Sequence, residues 1–267
     1  MTIRRSARTG SHRPGEVTGE ATRRLMAAAM ACFLLLLSQG AFATVATARH
    51  EPTVVPATPV GGTPAATADG DGETTISYTP DSSIMGETRI TAPAVFAAIH
   101  NVLPVEERYE VWSYLKTLSV LCETLGLDFV VMAAQWDLET DTGRSLWWRE
   151  RKNPAGIGVT GDPAQNEASQ TWPDGAAAVY GHVAHMVAYV WGKEWKTVWP
   201  DNWPGPLEAD QRFNAPINAG YHADRLIDLN NTWAVDPQAN YHGKLASRAN
   251  RIAGDARLGA GPVLSIP

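Results

Sequence analysis

A mainly α-helical fold with one small β-hairpin lobe is what this sequence predicts, on three observations. Apolar residues recur at i, i+3 and i+4 in the long segments after residue 90, and caps and stops separate those segments. A polar stretch punctuated by Gly and Pro, 153–173, is the one place for a hairpin. With 267 residues, 44 % of them hydrophobic and 19 % charged, the chain can bury one good core or two small ones.

The N-terminus is expected to stand outside that core. Arg4, Arg5, Arg8, Arg13, Arg23 and Arg24 precede the apolar run LMAAAMACFLLLL (25–37), and Ala41-Phe42-Ala43 supplies an A-x-A cleavage site, so 1–43 reads as an export signal. An uncleaved membrane anchor is the rival reading, but the apolar run is shorter than the roughly 20 residues of a span. Thr22-Arg23-Arg24-Leu25 resembles a twin-arginine signal, although one Arg pair in an Arg-rich tail does not separate the two export routes. Cleavage removes six Arg and two Glu from 22 basic and 28 acidic residues, leaving 16 and 26, so the net charge moves from −6 to −10. A nucleic-acid partner is not expected of such a chain. Cys32 leaves with the signal; Cys122, at an apolar helical position, is expected to be a buried thiol. Residues 44–82 are rich in Pro, Thr, Gly and Ala without an apolar period and read as a disordered linker. The folded domain is expected over 83–255, followed by a tail, 256–267.

Within that domain, Thr91 as cap and Pro93 in the first turn open a helix over 91–103, with Val95, Phe96, Ile99 and Leu103 on one stripe. The segment 104–125 repeats the pattern through Trp112, Leu115, Leu118, Cys122 and Leu125, and Gly126 stops it. A third helix, 128 to about 140, places Val130, Val131, Ala134 and Leu138 toward the core, with Asp137 and Asp141 on the exposed side. After the hairpin stretch, Asp174 caps a helix striped by Val179, Val183, Met186, Val187 and Val190. Two more helices are expected at 216–230 and 241–253. No internal repeat is visible.

Chemistry concentrates at the end of the third helix. Glu139 stands there one turn after Gln135, facing the negative end of the helix dipole, with Trp136, Trp147 or Trp148 near enough in sequence to exclude water. Both influences raise a carboxyl pKa, and a carboxyl that keeps its proton near neutral pH is what protonation of a glycosidic oxygen requires. The plain alternative is a solvated Glu at a helix end. All ten Trp lie between 112 and 233, several in polar surroundings. Trp147, Trp148, Trp172 and Trp203 therefore divide between two readings, packing and the stacking of sugar rings in a groove.

Gly156, Gly158 and Gly161 spell G-x-G-x-x-G, yet the polar RERKN before them is no buried strand and DPAQNEASQ after them is no packed helix, so a nucleotide turn is disfavoured. His182 and His185, at i, i+3, suggest a metal site, but no third ligand stands at a recognisable spacing and H-E-x-x-H is absent. Neither a metal nor a cofactor is expected.

The stretch AAQWDLETDTGRSLWWRERKNPAGIGVTGD (133–162) resembles the bacterial glucosaminidase family of peptidoglycan hydrolases, whose domains carry an A-Q-x-x-x-E-[ST] helix end followed by an N-x-x-G-I-G hairpin. SIMGETRITAP (83–93), TWPDGAAAVYGHVAHMVAYV (171–190) and WAVDPQANYHGKL (233–245) continue the resemblance in family order, over about two thirds of the chain. It implies a lysozyme-like α+β domain and an endo-β-N-acetylglucosaminidase acting on β-1,4 bonds of cell-wall glycan. Glu139 would be the catalytic acid, Gln135 and Asn153 flanking polar residues, Gly156, Ile157 and Gly158 the hairpin turn beside the glycan, and Tyr241 a cleft residue. Trp147, Trp148 and Trp172 would join them in binding substrate. The sequence departs from the pattern at Thr140-Asp141-Thr142-Gly143, which inserts an acid before the glycine. The second catalytic group is open between Glu167, Asp174 and the substrate's own N-acetyl group. The expected protein is exported, monomeric, associated with the cell wall and bound to peptidoglycan strands; a catalytically silent wall-binding module is the alternative from a different class.

Overall fold

The computed structural model of the chain describes residues 65–68, 74–87, 90–159, 170–234 and 240–258, and these are mainly helical. The expected export signal, the tail beyond 258, Gly161 and Glu167 lie outside them. Helix α1 (Ala92–His100) buries Val95, Phe96 and Ile99, and α2 (Arg108–Leu125) buries Val111, Leu115, Leu118, Leu121, Cys122 and Leu125. Gly126, at φ 70°, ends α2 in the left-handed conformation that a glycine adopts without strain. Trp112, expected on the stripe, is only half-buried and packs its ring against Phe96. Asp128 then caps α3 (Phe129–Glu139) by accepting hydrogen bonds from the backbone N–H groups of Val130 and Val131.

Helix α3 is the centre of the fold. Every residue from Phe129 to Asp137 is buried, so the helix has no wet face over its first nine positions. That overturns the expectation of an exposed Asp137, which is 0 % exposed; its Oδ2 accepts from Arg248 Nη1 (3.0 Å) and Arg251 Nη2 (2.6 Å). Asp141 does lie at the surface. The two arginines belong to α8 (Tyr241–Leu258), which packs along α3 and α1, while α2 packs against α5 (Gly175–Val190). Between these long helices run the short α4 (Leu146–Arg151), α6 (Pro206–Ala209) and α7 (Asn214–Ala219). The helix expected at 216–230 is broken, because Gly220 at φ 71° stops α7 and only a 3-10 turn, Leu226–Leu229, re-forms beyond it.

Two corrections concern extended structure. Strands β1 (Ala65–Ala68) and β2 (Thr74–Ser77) pair antiparallel, Ala65 opposite Ser77, inside the segment read as linker. The packed chain also begins before Ser83: Tyr78 is 3 % exposed, exchanges two backbone-to-amide hydrogen bonds with Asn250 of α8 (2.7 and 2.8 Å) and donates its hydroxyl to Asp128 (3.1 Å). A period rule cannot see such an anchor, since one buried Tyr in a polar stretch makes no pattern. From there 83–86 threads between the loops at 126–128 and 224–225, with Ile84 N–H bonded to Asp224 O and Asp128 N–H bonded to Ile84 O. In the expected hairpin stretch, the described residues 153–159 form turns and no strand. Among the described residues, no helix is long and apolar enough to cross a membrane.

Candidate active site

The end of α3 is built to hold a side chain in place. Thr140 returns its hydroxyl to Trp136 O (2.7 Å) and accepts from Gly143 N–H (3.0 Å), closing the helix in a tight turn. Asp141, Thr142 and Gly143 are consecutively left-handed, at φ 49°, 54° and 76°. A β-branched residue is rarely found there, so Thr142 makes the T-D-T-G segment a strained turn immediately beyond Glu139.

Beneath the turn, Tyr114, Trp136 and Trp148 cluster with centroids 5.2–5.6 Å apart, Trp148 meeting the other two edge to face and Tyr114 tilted on Trp136. Trp148 is 0 % exposed, which removes it from any sugar-stacking surface. Adjacent residues on a helix point about 100° apart, so when Ser145 caps α4 and turns Trp148 inward, Trp147 is left half-buried under Arg151. Trp172 is likewise core: it is 8 % exposed, donates Nε1–H to Ala209 O (2.9 Å) and fills the space above Gly181, where an added Cβ would meet its ring at 2.4 Å. Trp203 is half-buried and packs against Trp199 and Tyr180.

Polar side chains and a glycine turn meet at Glu139. Asn153, 1 % exposed, accepts on Oδ1 from the N–H groups of Ala155 and Ile157 and donates Nδ2–H to Ile157 O, which shapes the following turn. Gly156 and Gly158 adopt φ 63° and 77° in that turn. A Cβ on Gly156 would stand 3.2 Å from Glu139 Oε2, so the glycine lets the turn close against that oxygen. Glu139 Oε1 accepts the hydroxyl proton of Tyr241 (2.7 Å), and Tyr241 accepts from Gln135 Nε2 (3.0 Å). Burial pushes the Glu139 carboxyl up from its ordinary 4.5 to about 7, while the hydrogen bonds from Tyr241 and Trp233 act against the rise. Tyr241 and Trp233, which bond the acid, stand far in sequence from the tryptophans expected to shield it, while Gly156 comes from the turn just beyond Trp148.

Asp174 accepts from Ala177 N–H (2.8 Å) as the exposed cap of α5, a structural role that accounts for it. His182 and His185 are not arranged as metal ligands. His182 bonds Gln135 Oε1 (2.8 Å) and Tyr114, and burial lowers its pKa to about 3, keeping the ring neutral. His185 Nδ1 bonds the buried Asp210 (2.6 Å), and its ring meets Trp233 edge to face at 5.0 Å. Among the described residues, no group of three His, Cys, Asp or Glu could hold a metal ion. Tyr114, His182, Trp233 and the His185–Asp210 pair were missed as site residues. The one available signal was a pair of histidines beside the apolar stripe of α5, where an ionisable group needs a partner. No protein-family model, no curated protein and no solved structure matches the chain.

Proposed function

We propose that the protein is an exported glycoside hydrolase of bacterial cell-wall glycan, an endo-β-N-acetylglucosaminidase in which Glu139 is the general acid. The observation that carries this reading is a carboxyl with pKa about 7 whose Oε2 lies against a side-chain-free turn at Gly156. Such a group holds its proton at neutral pH and presents it where a polysaccharide backbone can come close. In the reaction, Glu139 gives its proton to the glycosidic oxygen, the C1–O bond breaks with its electron pair leaving on that oxygen, and a water molecule adds to C1. The proton released by that water restores the acid.

Glu167 lies outside the described residues, so the second catalytic group is a choice between that carboxylate and the substrate's own N-acetyl group. The side-chain-free turn at Gly156 supports a second reading as well, a module that binds wall glycan without cutting it. Incubating the protein with purified peptidoglycan and identifying new reducing ends tests both. N-acetylglucosamine ends are expected, together with a loss on the order of 10²-fold in Glu139→Gln. Muramic ends would indicate a muramidase, anhydro ends a transglycosylase, and binding without new ends the silent module.

A further inference from the structure

Four hydrogen bonds run in series from α2 to Glu139. Tyr114 Oη meets His182 Nδ1, His182 Nε2 meets Gln135 Oε1 (2.8 Å), Gln135 Nε2 meets Tyr241 Oη (3.0 Å), and Tyr241 Oη meets Glu139 Oε1 (2.7 Å). Tyr114, His182 and Gln135 are 0 % exposed and Tyr241 is 5 % exposed, so water does not compete along the chain.

A chain of this kind has two self-consistent polarities. In one, every group donates toward Glu139. In the other, every group donates away from it: a protonated Oε1 donates to Tyr241, Tyr241 to the amide oxygen, the amide nitrogen to His182 Nε2, and His182 Nδ1–H to Tyr114. The far end decides between them. Tyr114 has His182 Nδ1 as its sole hydrogen-bond partner among the described residues, so the second polarity buries a hydroxyl hydrogen with no acceptor. The first gives every hydroxyl and ring N–H of the chain an acceptor, the second amide hydrogen of Gln135 being left over in both, and it fixes the Gln135 amide and the His182 tautomer independently of how either was placed.

We propose that Tyr114 is a positioning residue for Glu139: by fixing the polarity of the buried chain it holds Tyr241 as donor to Oε1, so the proton of the acid resides on Oε2, beside Gly156. Oε1, already accepting from Tyr241, is the poorer site for that proton, with Trp233 the other donor to the carboxyl among the described residues. The catalytic value of the device rests on Glu139 being the general acid; the polarity itself does not. Other titratable or charged groups packed around the chain are Cys122 on α2, His185 with Asp210, Tyr189 on α5, and Asp137 with Arg248 and Arg251.

The test follows His182 by ¹⁵N NMR and the Glu139 carboxyl by ¹³C NMR across pH 5 to 9, with Glu139→Gln assigning the carboxyl signal. In the wild type, His182 is expected as the Nε2–H tautomer at both ends of the range. Tyr114→Phe leaves His182 Nδ1 without a partner in both polarities, an unpaired lone pair in the first and an unpaired N–H in the second. The gap between them narrows, so a minor fraction of the Nδ1–H tautomer should appear at pH 5, where Glu139 is protonated. Because the second polarity is open only to the protonated acid, the Glu139 midpoint should rise, by up to about 0.3 pH unit as the two polarities approach equal population. In a Tyr241→Phe background, which cuts the last link, Tyr114→Phe should leave that midpoint unmoved. A wild-type Nδ1–H tautomer at pH 5 overturns the proposal even if the variants fail to fold, and so does a Tyr114→Phe protein that loses melting temperature while both signals stay unchanged. Intact peptidoglycan in the presence of the expected wild-type tautomer would defeat the proposed activity and leave the polarity standing.

Discussion

At Glu139, burial raises the carboxyl pKa to about 7 and hydrogen bonds from Tyr241 and Trp233 restrain the rise, so the acid titrates within the working range of an enzyme near neutrality. The proton that would be donated is lost as pH climbs through that value. Hydrolysis of peptidoglycan should therefore show an alkaline limb near pH 7 in kcat/KM, and a flat profile to pH 9 would exclude Glu139 as the acid. The same shift links to stability. The folded protein binds this proton more tightly than the unfolded chain, whose carboxyl titrates near 4.5. The stabilising contribution is complete below about pH 4.5 and disappears as pH rises through 7. Glu139→Gln, which never ionises, should gain melting temperature relative to wild type on going from pH 5 to pH 8. Thermal melts at the two pH values check the sign, and the comparison cancels Asp128, whose pKa burial also raises, to about 6.

Elements bring this carboxyl to its neighbours, and two short ones can be tested. The turn at 153–159 depends on Gly156, where a methyl group would meet both a left-handed φ of 63° and Oε2 at 3.2 Å. Gly156→Ala should lower turnover by on the order of 10-fold or more while costing about 1 kcal/mol of stability, as read by steady-state kinetics and urea unfolding. Trp172 sits where α5 narrows at Gly181, and its indole N–H is bonded to Ala209 O. Trp172→Ala leaves a cavity and an orphan carbonyl, so it should cost about 3–5 kcal/mol, with glycan affinity of the remaining folded protein nearly unchanged. The opposite pattern would return Trp172 to the binding surface.

The whole molecule is fastened around α3. Asp137 ties that helix to α8 through Arg248 and Arg251, which are about one third exposed, and α8 in turn supplies Tyr241 to Glu139. The pair of ionic contacts thus fixes the register that the site needs. Asp137→Asn keeps the volume and removes the charge, and should cost about 2 kcal/mol or more while weakening hydrolysis through misplacement of Tyr241. Unfolding midpoints and kcat together would show it; a stability loss with kcat intact would confine Asp137 to holding the fold.

Local signals carried far in this chain. Period and capping place α1, α2, α3, α5 and α8, because amphipathic stripes and terminal caps are properties of neighbouring residues. Gln135 and Glu139, one helical turn apart, are neighbours for the same reason, whereas only the resemblance to the glucosaminidase family places Asn153 and Gly156 beside them. What those signals do not carry is which face of a helix meets another helix. The sequence places Asp137 on a wet face that α8 covers, and it leaves Trp148 and Trp172 open between packing and a sugar groove although their surroundings close over them. It gives no hint that His182 and Tyr114 lie behind Glu139, since their link to Gln135 exists only once α5 and α2 pack against the central helix. Chain neighbours determine helices and caps, whereas burial, and with it the acidity of Glu139 and the polarity of its hydrogen bonds, is decided by contacts between residues that only folding brings together.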